Sequence, residues 1–386
     1  YENVVKQLLS CGFKCDNTDG SQLLRITNEY MDKNTGMTRL SNVRCELIGN
    51  DVIKGYCKHN NIQTLIDTQS TITSQINFTQ KMNFKDGNDI LGPVDITSYN
   101  FRASFQSEKN FTHHSNFIKN IINQWSNSKK VFRLINRVRF THPLFPLFVD
   151  VSIVKSSIKQ NRKYVPTYTI QESNVFQNNQ SYEIELELDN NRVGYNTPYS
   201  TSKELVASIK KAIRVVLTGI QNTKYPVSYD EQDKVMKSYL DIIHGSEHNI
   251  DRIISKYFIG PSSLTLQMEN ISEAVEDSNV TNIRTDYCVT DKADGERRLL
   301  IINDDGKIYM IDTNMKIIFT GAKTNNEKLF NSILDGEYIQ KNKIGEIINL
   351  YAAFDVYYIN KKDVRSLPFV LSNNKTNNFR FYYLQY

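Results

Sequence analysis

Three features of the 386-residue sequence predict an α+β fold. Short alternating strands with polar breaks recur at nearly even spacing from about Thr64 to Val154, the pattern of an antiparallel sandwich or closed barrel. Amphipathic helical runs flank them. After the break at Gly260-Pro261-Ser262-Ser263-Leu264, strands dominate again. The chain therefore reads as a first domain over 1–245, a linker over 246–262 and a second domain over 263–386.

Composition sets the outer limits. With 39% hydrophobic and 23% charged residues, the chain is ordinary globular protein. A net charge of +5 is compatible with nucleic acid or polyphosphate but does not demand either. No apolar run reaches the roughly 18 residues of a membrane span, and no signal peptide is visible. The five cysteines are sparse and odd in number, which favours a reducing compartment over a disulfide framework. Cys11-x-x-x-Cys15 and His113-His114 have no partners at metal-ligand spacing and are read as non-functional. The chain starts at Tyr1 and stops at Phe381-Tyr382-Tyr383-Leu384-Gln385-Tyr386, which reads as mid-strand, so a fragment of a longer protein is expected.

In order, Val4 to Leu9 is a short amphipathic piece. Ser21 to Met31 reads as a helix, with Leu23, Ile26 and Tyr30 on one face. Thr38 to Ile48 reads as paired strands and Asp51 to His59 as a helix. Phe101–Phe105, Val131–Leu134, Arg137–Phe140 and Phe148–Val154 are short strands. Asn120 to Lys130 is read as helical, and Trp125 as a core anchor. Helices follow at Ser202–Leu217, Tyr229–His244 and Asn249–Phe258. The second domain has strands at Arg298–Asn303, Lys307–Asp312, Lys316–Thr320, Ile333–Ile339 and Tyr351–Ile359, with a hairpin turn at Asp304-Asp305-Gly306.

Two stretches carry chemistry. Tyr182-Glu183-Ile184-Glu185-Leu186-Glu187-Leu188 alternates strictly, so the three glutamates share one strand face. Such a face is usually solvated. Arg137 and Arg139 also lie two apart. If the strands close around a polar interior, carboxylates and guanidiniums face each other across a lumen. The carboxylates could then hold Mg²⁺ or Mn²⁺ and the arginines a polyphosphate. Arg133 and Lys155 are weaker candidates for the same anion.

The second stretch, Lys292-Ala293-Asp294-Gly295-Glu296-Arg297, fits Lys-x-Asp-Gly-x-Arg. It sits between the apolar-leaning Tyr287-Cys288-Val289 and Leu299-Leu300-Ile301-Ile302, which reads as strand, turn, strand. Four fixed positions occur by chance in roughly one chain of this length in several hundred. An exposed Asp-Gly hairpin turn is the alternative. Further on stand Asp335-Gly336-Glu337 and Phe354-Asp355.

Taken together, Lys292-x-Asp294-Gly295-x-Arg297, Asp335-Gly336-Glu337 and Phe354-Asp355 resemble the first motifs of the covalent nucleotidyltransferases. That superfamily holds mRNA guanylyltransferases and polynucleotide ligases. The glutamate strand upstream resembles the metal-binding strand of triphosphate-tunnel RNA triphosphatases. The two in this order resemble the multifunctional mRNA capping enzymes of large DNA viruses (mimivirus, poxvirus and asfarvirus type). The resemblance implies an antiparallel tunnel with flanking helices, followed by a partial, ATP-grasp-like nucleotidyltransferase domain. It implies GTP and 5′-triphosphate RNA as substrates, a methyltransferase domain or subunit as a candidate partner, and a virion or host-cytoplasm location.

By the same resemblance, Lys292 attacks the α-phosphate of GTP and forms a lysyl-N-GMP intermediate. Nearby cations and partial burial are expected to lower its pKa. Arg297 would hold ribose or phosphate, and Asp294 and Gly295 would shape the turn. Glu337 would contact ribose or help place the metal, Phe354 would stack on guanine, and Asp355 would support the metal or the lysine. Glu185 and Glu187, helped by Glu183, would bind the metal of the triphosphatase, and Arg137 and Arg139 its triphosphate.

The chain also departs from the pattern. It lacks a second Glu-x-Glu strand, expected within about 20 residues upstream of Tyr1, and it lacks the later Glu-Gly and Lys-x-Lys motifs. An ATP-dependent ligase and a degenerate, non-catalytic capping subunit that binds RNA or a partner therefore stay as alternatives.

Overall fold

The computed structural model describes residues 1–32, 34–68, 73–273, 280–284, 287–370 and 378–385. The chain divides into two compact units, Tyr1–Ile220 and Gln221–Tyr386. In chain order the first unit has α1 (Glu2–Ser10), β1 (Ser21–Met31), β2 (Thr38–Ile48), α2 (Asn50–His59), α3 (Ile62–Thr68), β3 (Ile76–Asn83) and β4 (Gln106–Phe111). Then come α4 (Asn116–Asn123), β5 (Lys130–Phe140), β6 (Leu147–Ser156), β7 (Ser181–Leu188) and α5 (Ser202–Gln221). These seven strands form one antiparallel sheet in the order β7-β6-β5-β1-β2-β3-β4, and short two-stranded ribbons lie at 85–90, 94–103 and 159–164.

The segment expected to be a helix over 21–31 is a strand. Leu24 and Ile26 are fully buried and Asn28 nearly so, a period of two. β1 pairs along its length with both β2 and β5. The helical spacing of Leu23, Ile26 and Tyr30 is incidental, and pairing on both edges outweighs it. Likewise 38–48 is one continuous strand rather than two, and 130–140 joins the two short strands expected there. The expected helix over 120–130 ends at Asn123, and Trp125 follows in a 3₁₀ turn. Trp125 is buried as expected, and its Nε1 donates to the Tyr56 hydroxyl at 3.2 Å.

Period-two alternation gives this sheet two unlike faces. On one, Leu24, Ile26, Cys45, Leu47, Phe78 and Phe132 pack under α2, α3 and α4. Val138, Phe140, Val149 and Val151 continue that face and pack with Val4 and Leu8 of α1 and Ala212 and Val216 of α5. The other face is charged. Among the described residues the sheet does not close into the expected tunnel: its edge strands β7 and β4 do not pair with each other. It is nevertheless curled. Glu185 on β7 acts electrostatically on Arg44 of β2, four strands along the sheet. In a flat sheet the two would be about 19 Å apart, beyond the reach of screened charges.

Lys130 is the polar exception on the apolar face. It is fully buried, donates to the Ser128 carbonyl at 2.6 Å and the Tyr168 carbonyl at 3.3 Å, and lies 5.6 Å from the Trp125 ring centre. Burial pulls its pKa from 10.5 down to about 8. A folded-state value below the unfolded one means that the folded chain releases its proton first as pH rises. The penalty for burying the ammonium is full below pH 8 and is relieved between 8 and 10.5. Between pH 8 and 9.5 the unfolding free energy should therefore rise by about 1.5 kcal/mol relative to Lys130→Met. Urea denaturation of both proteins at the two pH values measures this; parallel pH dependences would refute it.

The second unit contains α6 (Tyr229–His244), β8 (Glu296–Ile302), β9 (Lys307–Asp312), β10 (Ile317–Lys323), β11 (Ser332–Lys341), β12 (Ile347–Ile359), β13 (Lys362–Asp363) and α7 (Arg380–Gln385). The strands form an antiparallel sheet in the order β10-β9-β8-β11-β12-β13. Val235, Met236, Tyr239 and Leu240 of α6 pack against Leu299, Ile301, Tyr309 and Ile333. That packing is why the boundary between units falls at Gln221, before the expected linker at 246–262. The linker is not free chain. Ile250, Tyr257, Phe258 and Ile259 pack on the same core, and only Ser255–Tyr257 forms a 3₁₀ turn where a helix over 249–258 was expected. The C-terminal run expected as a strand is helix α7; Tyr386 lies outside the described residues.

Candidate functional site

In the second unit the Lys292 turn precedes β8 rather than joining two strands. Residues 287–294 are not strand, and Val289 is 99% exposed. β8 is already paired on both edges, by β9 and β11, and no strand among the described residues is placed to pair with 287–293. The turn is instead tied down at Gly295, whose N–H donates to Glu337 Oε2 at 2.8 Å. A Cβ at Gly295 would lie 2.8 Å from the Tyr338 carbonyl oxygen, so only glycine permits this approach. Two motifs that are separate in sequence thus meet at one point.

The Lys292 side chain is 82% exposed and its Nζ lies 2.5 Å from Asp294 Oδ1. The Asp294 hydrogen bond and charge raise the lysine pKa and lower that of the aspartate. This reverses the expected lowering: there is no burial to disfavour the ammonium, and its nearest charge is an anion.

Arg297 is not free either. Its Nε and Nη2 form a fork to Asp335 at 3.1 and 2.5 Å, and its Nη1 donates to the Pro261 carbonyl at 2.7 Å. Asp335 is fully buried and also accepts from the Tyr357 hydroxyl. The hydrogen bonds of Arg297 to Asp335, then the Asp335 charge, hold the Arg297 pKa above its ordinary value. Asp355 is engaged by Arg380 at 2.8 Å rather than lying near the lysine. Phe354 is 39% exposed and falls at a register shift, where Asp335 opposes Asp355 but Gly336 opposes Ala353. This bulge turns the ring out of the ladder, a common way to aim a side chain at a site.

Gly336 completes the local packing. A Cβ there would meet the Ala352 carbonyl oxygen and Tyr351 Cζ, both at 2.6 Å. The Tyr351 hydroxyl bonds the Arg298 and Leu334 carbonyls and cannot easily withdraw. Gly336→Ala should destabilise the second unit by about 2 kcal/mol. Urea denaturation is the check, and an unchanged midpoint would refute the close packing.

In the first unit, the register puts Glu183, Glu185 and Glu187 of β7 beside Ser152, Asp150 and Phe148 of β6, and these beside Arg137 and Arg139 of β5. Arg133, Arg25, Glu46 and Arg44 continue the same face across β1 and β2. The expected meeting of carboxylates and guanidiniums occurs. Arg133 pairs with Glu183 at 2.6 Å, Arg137 with Glu185 at 3.1 Å and Arg139 with Glu187 at 2.8 Å. Asp150, which the sequence reading passed over, is 1% exposed and bonds Arg139 twice at 2.7 Å and Arg137 at 3.2 Å. Lys155 does not join this face: it opposes Leu134 and donates to the Phe176 carbonyl.

Each glutamate is bonded to its own arginine, and no group of three or more His, Cys, Asp or Glu among the described residues could hold a metal ion. Arg25, Arg44 and Glu46 were also missed. Arg25 and Arg44 share Glu46 at 2.8 and 3.2 Å. The signal was Arg44-Cys45-Glu46, an alternation on one strand face with a buried cysteine between.

Among the described residues, no helix is long and apolar enough to cross a membrane. Residues 218–375, beginning beside the boundary of the second unit and including Lys292, Glu337 and Phe354, match the family model for the mRNA capping enzyme, catalytic domain. The chain is also similar to a probable mRNA-capping enzyme of Acanthamoeba polyphaga mimivirus, 28% identical over 201 residues. That match covers 50% of this chain and 14% of the relative's length, so the chain spans a small share of that relative.

Proposed function

We propose that the second unit transfers GMP from GTP to the 5′-diphosphate end of RNA through Lys292. The observation that carries this reading is the contact between the Lys292 turn and the Asp335-Gly336-Glu337 strand, through Gly295 N–H and Glu337. Lys292 Nζ, once deprotonated, attacks the α-phosphorus of GTP. A P–N bond forms, the bond to the bridging oxygen breaks, and pyrophosphate leaves with its electron pair. The RNA diphosphate oxygen then displaces Lys292 and takes the GMP. The proton leaves to the solvent around the exposed side chain, and Asp294, paired with the ammonium, favours the resting protonated form. Phe354, turned out by the bulge, offers a stacking face to the base.

We also propose a second activity for the first unit, removal of the γ-phosphate from 5′-triphosphate RNA. What favours it is the curled face carrying Arg133, Arg137 and Arg139 opposite Glu183, Glu185 and Glu187. The arginines are suited to phosphate oxygens, which would replace the glutamates as partners. Mg²⁺ or Mn²⁺ dependence is part of this proposal.

Incubating the chain with α-labelled GTP or ATP, followed by a denaturing gel, tests the first proposal. Label from GTP supports it. Label from ATP alone would favour a ligase-type nucleotidyltransferase, and label from neither would favour a non-catalytic capping subunit. Phosphate release from γ-labelled triphosphate RNA, with and without Mn²⁺, tests the second.

A further inference from the structure

The charged face of the first unit has two unlike ends. Along β5 it carries Arg139, Arg137, Ile135 and Arg133 in turn, each two residues from the next. At one end the side chains of Arg139 and its partner Glu187 are 42% and 54% exposed. At the other, those of Arg25 and Arg44 are 14% and 17% exposed. Between the two ends, Leu23, Ile135 and Val154 stand side by side in the register of β1, β5 and β6 and are buried. That apolar row offers no partner to a phosphate. An anion arriving from solvent therefore finds its most accessible guanidinium at Arg139.

Phe148 lies at this open end. It opposes Glu187 in the pairing of β6 with β7 and is partly exposed. The Arg139 guanidinium carbon lies over its ring, 4.5 Å from the centre. Among the described residues that β5, β6 and β7 turn to this face, Phe148 is the one aromatic. Guanidiniums alone would serve a bare polyphosphate. The 5′ end of a triphosphate RNA asks for more. Its first nucleoside follows the α-phosphate directly, and any base has a flat face that stacks on an aromatic ring. A half-buried ring beside the most accessible guanidinium meets that need. The reverse orientation would press a nucleoside towards the buried end and leave the ring without a role.

We propose that Phe148 stacks on the first base of 5′-triphosphate RNA, so that the nucleoside stays at the exposed end of the face and the γ-phosphate points towards Arg137 and Arg133. This rests on the first unit acting on triphosphate ends.

The test measures binding to the full chain by isothermal titration calorimetry, with inorganic tripolyphosphate and a short 5′-triphosphate RNA as probes. Phe148→Leu should bind the RNA at least about tenfold more weakly, and tripolyphosphate within about twofold of wild type. Phe148→Trp should restore RNA binding. An RNA with an abasic first residue should bind wild type about as weakly as the ordinary RNA binds Phe148→Leu. It should lose nothing further in that variant, because both changes remove the same contact. Undiminished RNA binding in Phe148→Leu overturns the proposal. Equal weakening of both probes also overturns it, since Phe148 would then act by holding Arg139. Should Phe148→Leu fail to fold, the two RNAs on wild type decide: equal affinities sink the stacking role and leave the triphosphate site standing. Binding of neither probe by wild type fails the triphosphate site itself, and the stacking role with it.

Discussion

Lys292→Met should abolish covalent labelling by GTP, a loss of at least about 1,000-fold, while leaving the unfolding midpoint of the second unit unchanged. The two expectations come from the same geometry. Lys292 is largely solvated and, among the described residues, hydrogen-bonds just its neighbours Asp294 and Ala293, so removing it leaves the core untouched. An exposed pair of this kind contributes little to stability. Lys292→Arg should be equally inactive, because a guanidinium stays protonated and has no lone pair to offer. The pH dependence follows from the raised lysine pKa. Only the neutral amine attacks, so labelling should rise with pH through the neutral range. Asp294→Asn, which removes the anion that raises that pKa, should shift the rise to lower pH. Normal labelling in Lys292→Met would reject the nucleophile assignment outright.

How much of this was legible in sequence depended on whether the cause was local. Lys292, Gly295 and Glu337 were visible because their residue types and spacing are themselves the signal. The alternation of Glu183, Glu185 and Glu187, and of Arg137 and Arg139, correctly put each set on one strand face, since period two is a property of the strand alone. Lys155 lay outside that logic: an odd step from Ser152 and Ser156 puts it on the opposite face of β6. Asp150 was invisible because a single aspartate between Val149 and Val151 makes no pattern. Its importance comes from three strands aligned in register. β1 was misread for the same reason, as its pairing partner β5 lies about a hundred residues away in sequence. The state of the lysine was misjudged because burial is a tertiary property, and the sequence offers only the neighbours along the chain.

Asp150→Ala should destabilise the first unit by about 2–4 kcal/mol, whereas Glu185→Gln and Glu187→Gln should each cost less than about 1 kcal/mol. All three carboxylates bond the same arginines, but Glu185 and Glu187 are about half exposed and Asp150 is nearly inaccessible. Deleting a buried partner leaves desolvated guanidiniums without compensation, while deleting an exposed one lets water take its place. The figure is kept below the full cost of a broken buried pair because Arg137 and Arg139 retain their glutamates. Urea denaturation, followed by fluorescence of the single tryptophan, Trp125, measures all three in the unit that contains it. The same variant examines the proposed phosphate surface. If the arginines of this face accept a triphosphate, inorganic tripolyphosphate should restabilise Asp150→Ala more than wild type, since an anion can take the vacated carboxylate position and binding to the folded state adds to stability. Equal stabilisation of both proteins would mean that the anion binds elsewhere, and an Asp150→Ala protein as stable as wild type would show that Asp150 is not the anchor of this charged face.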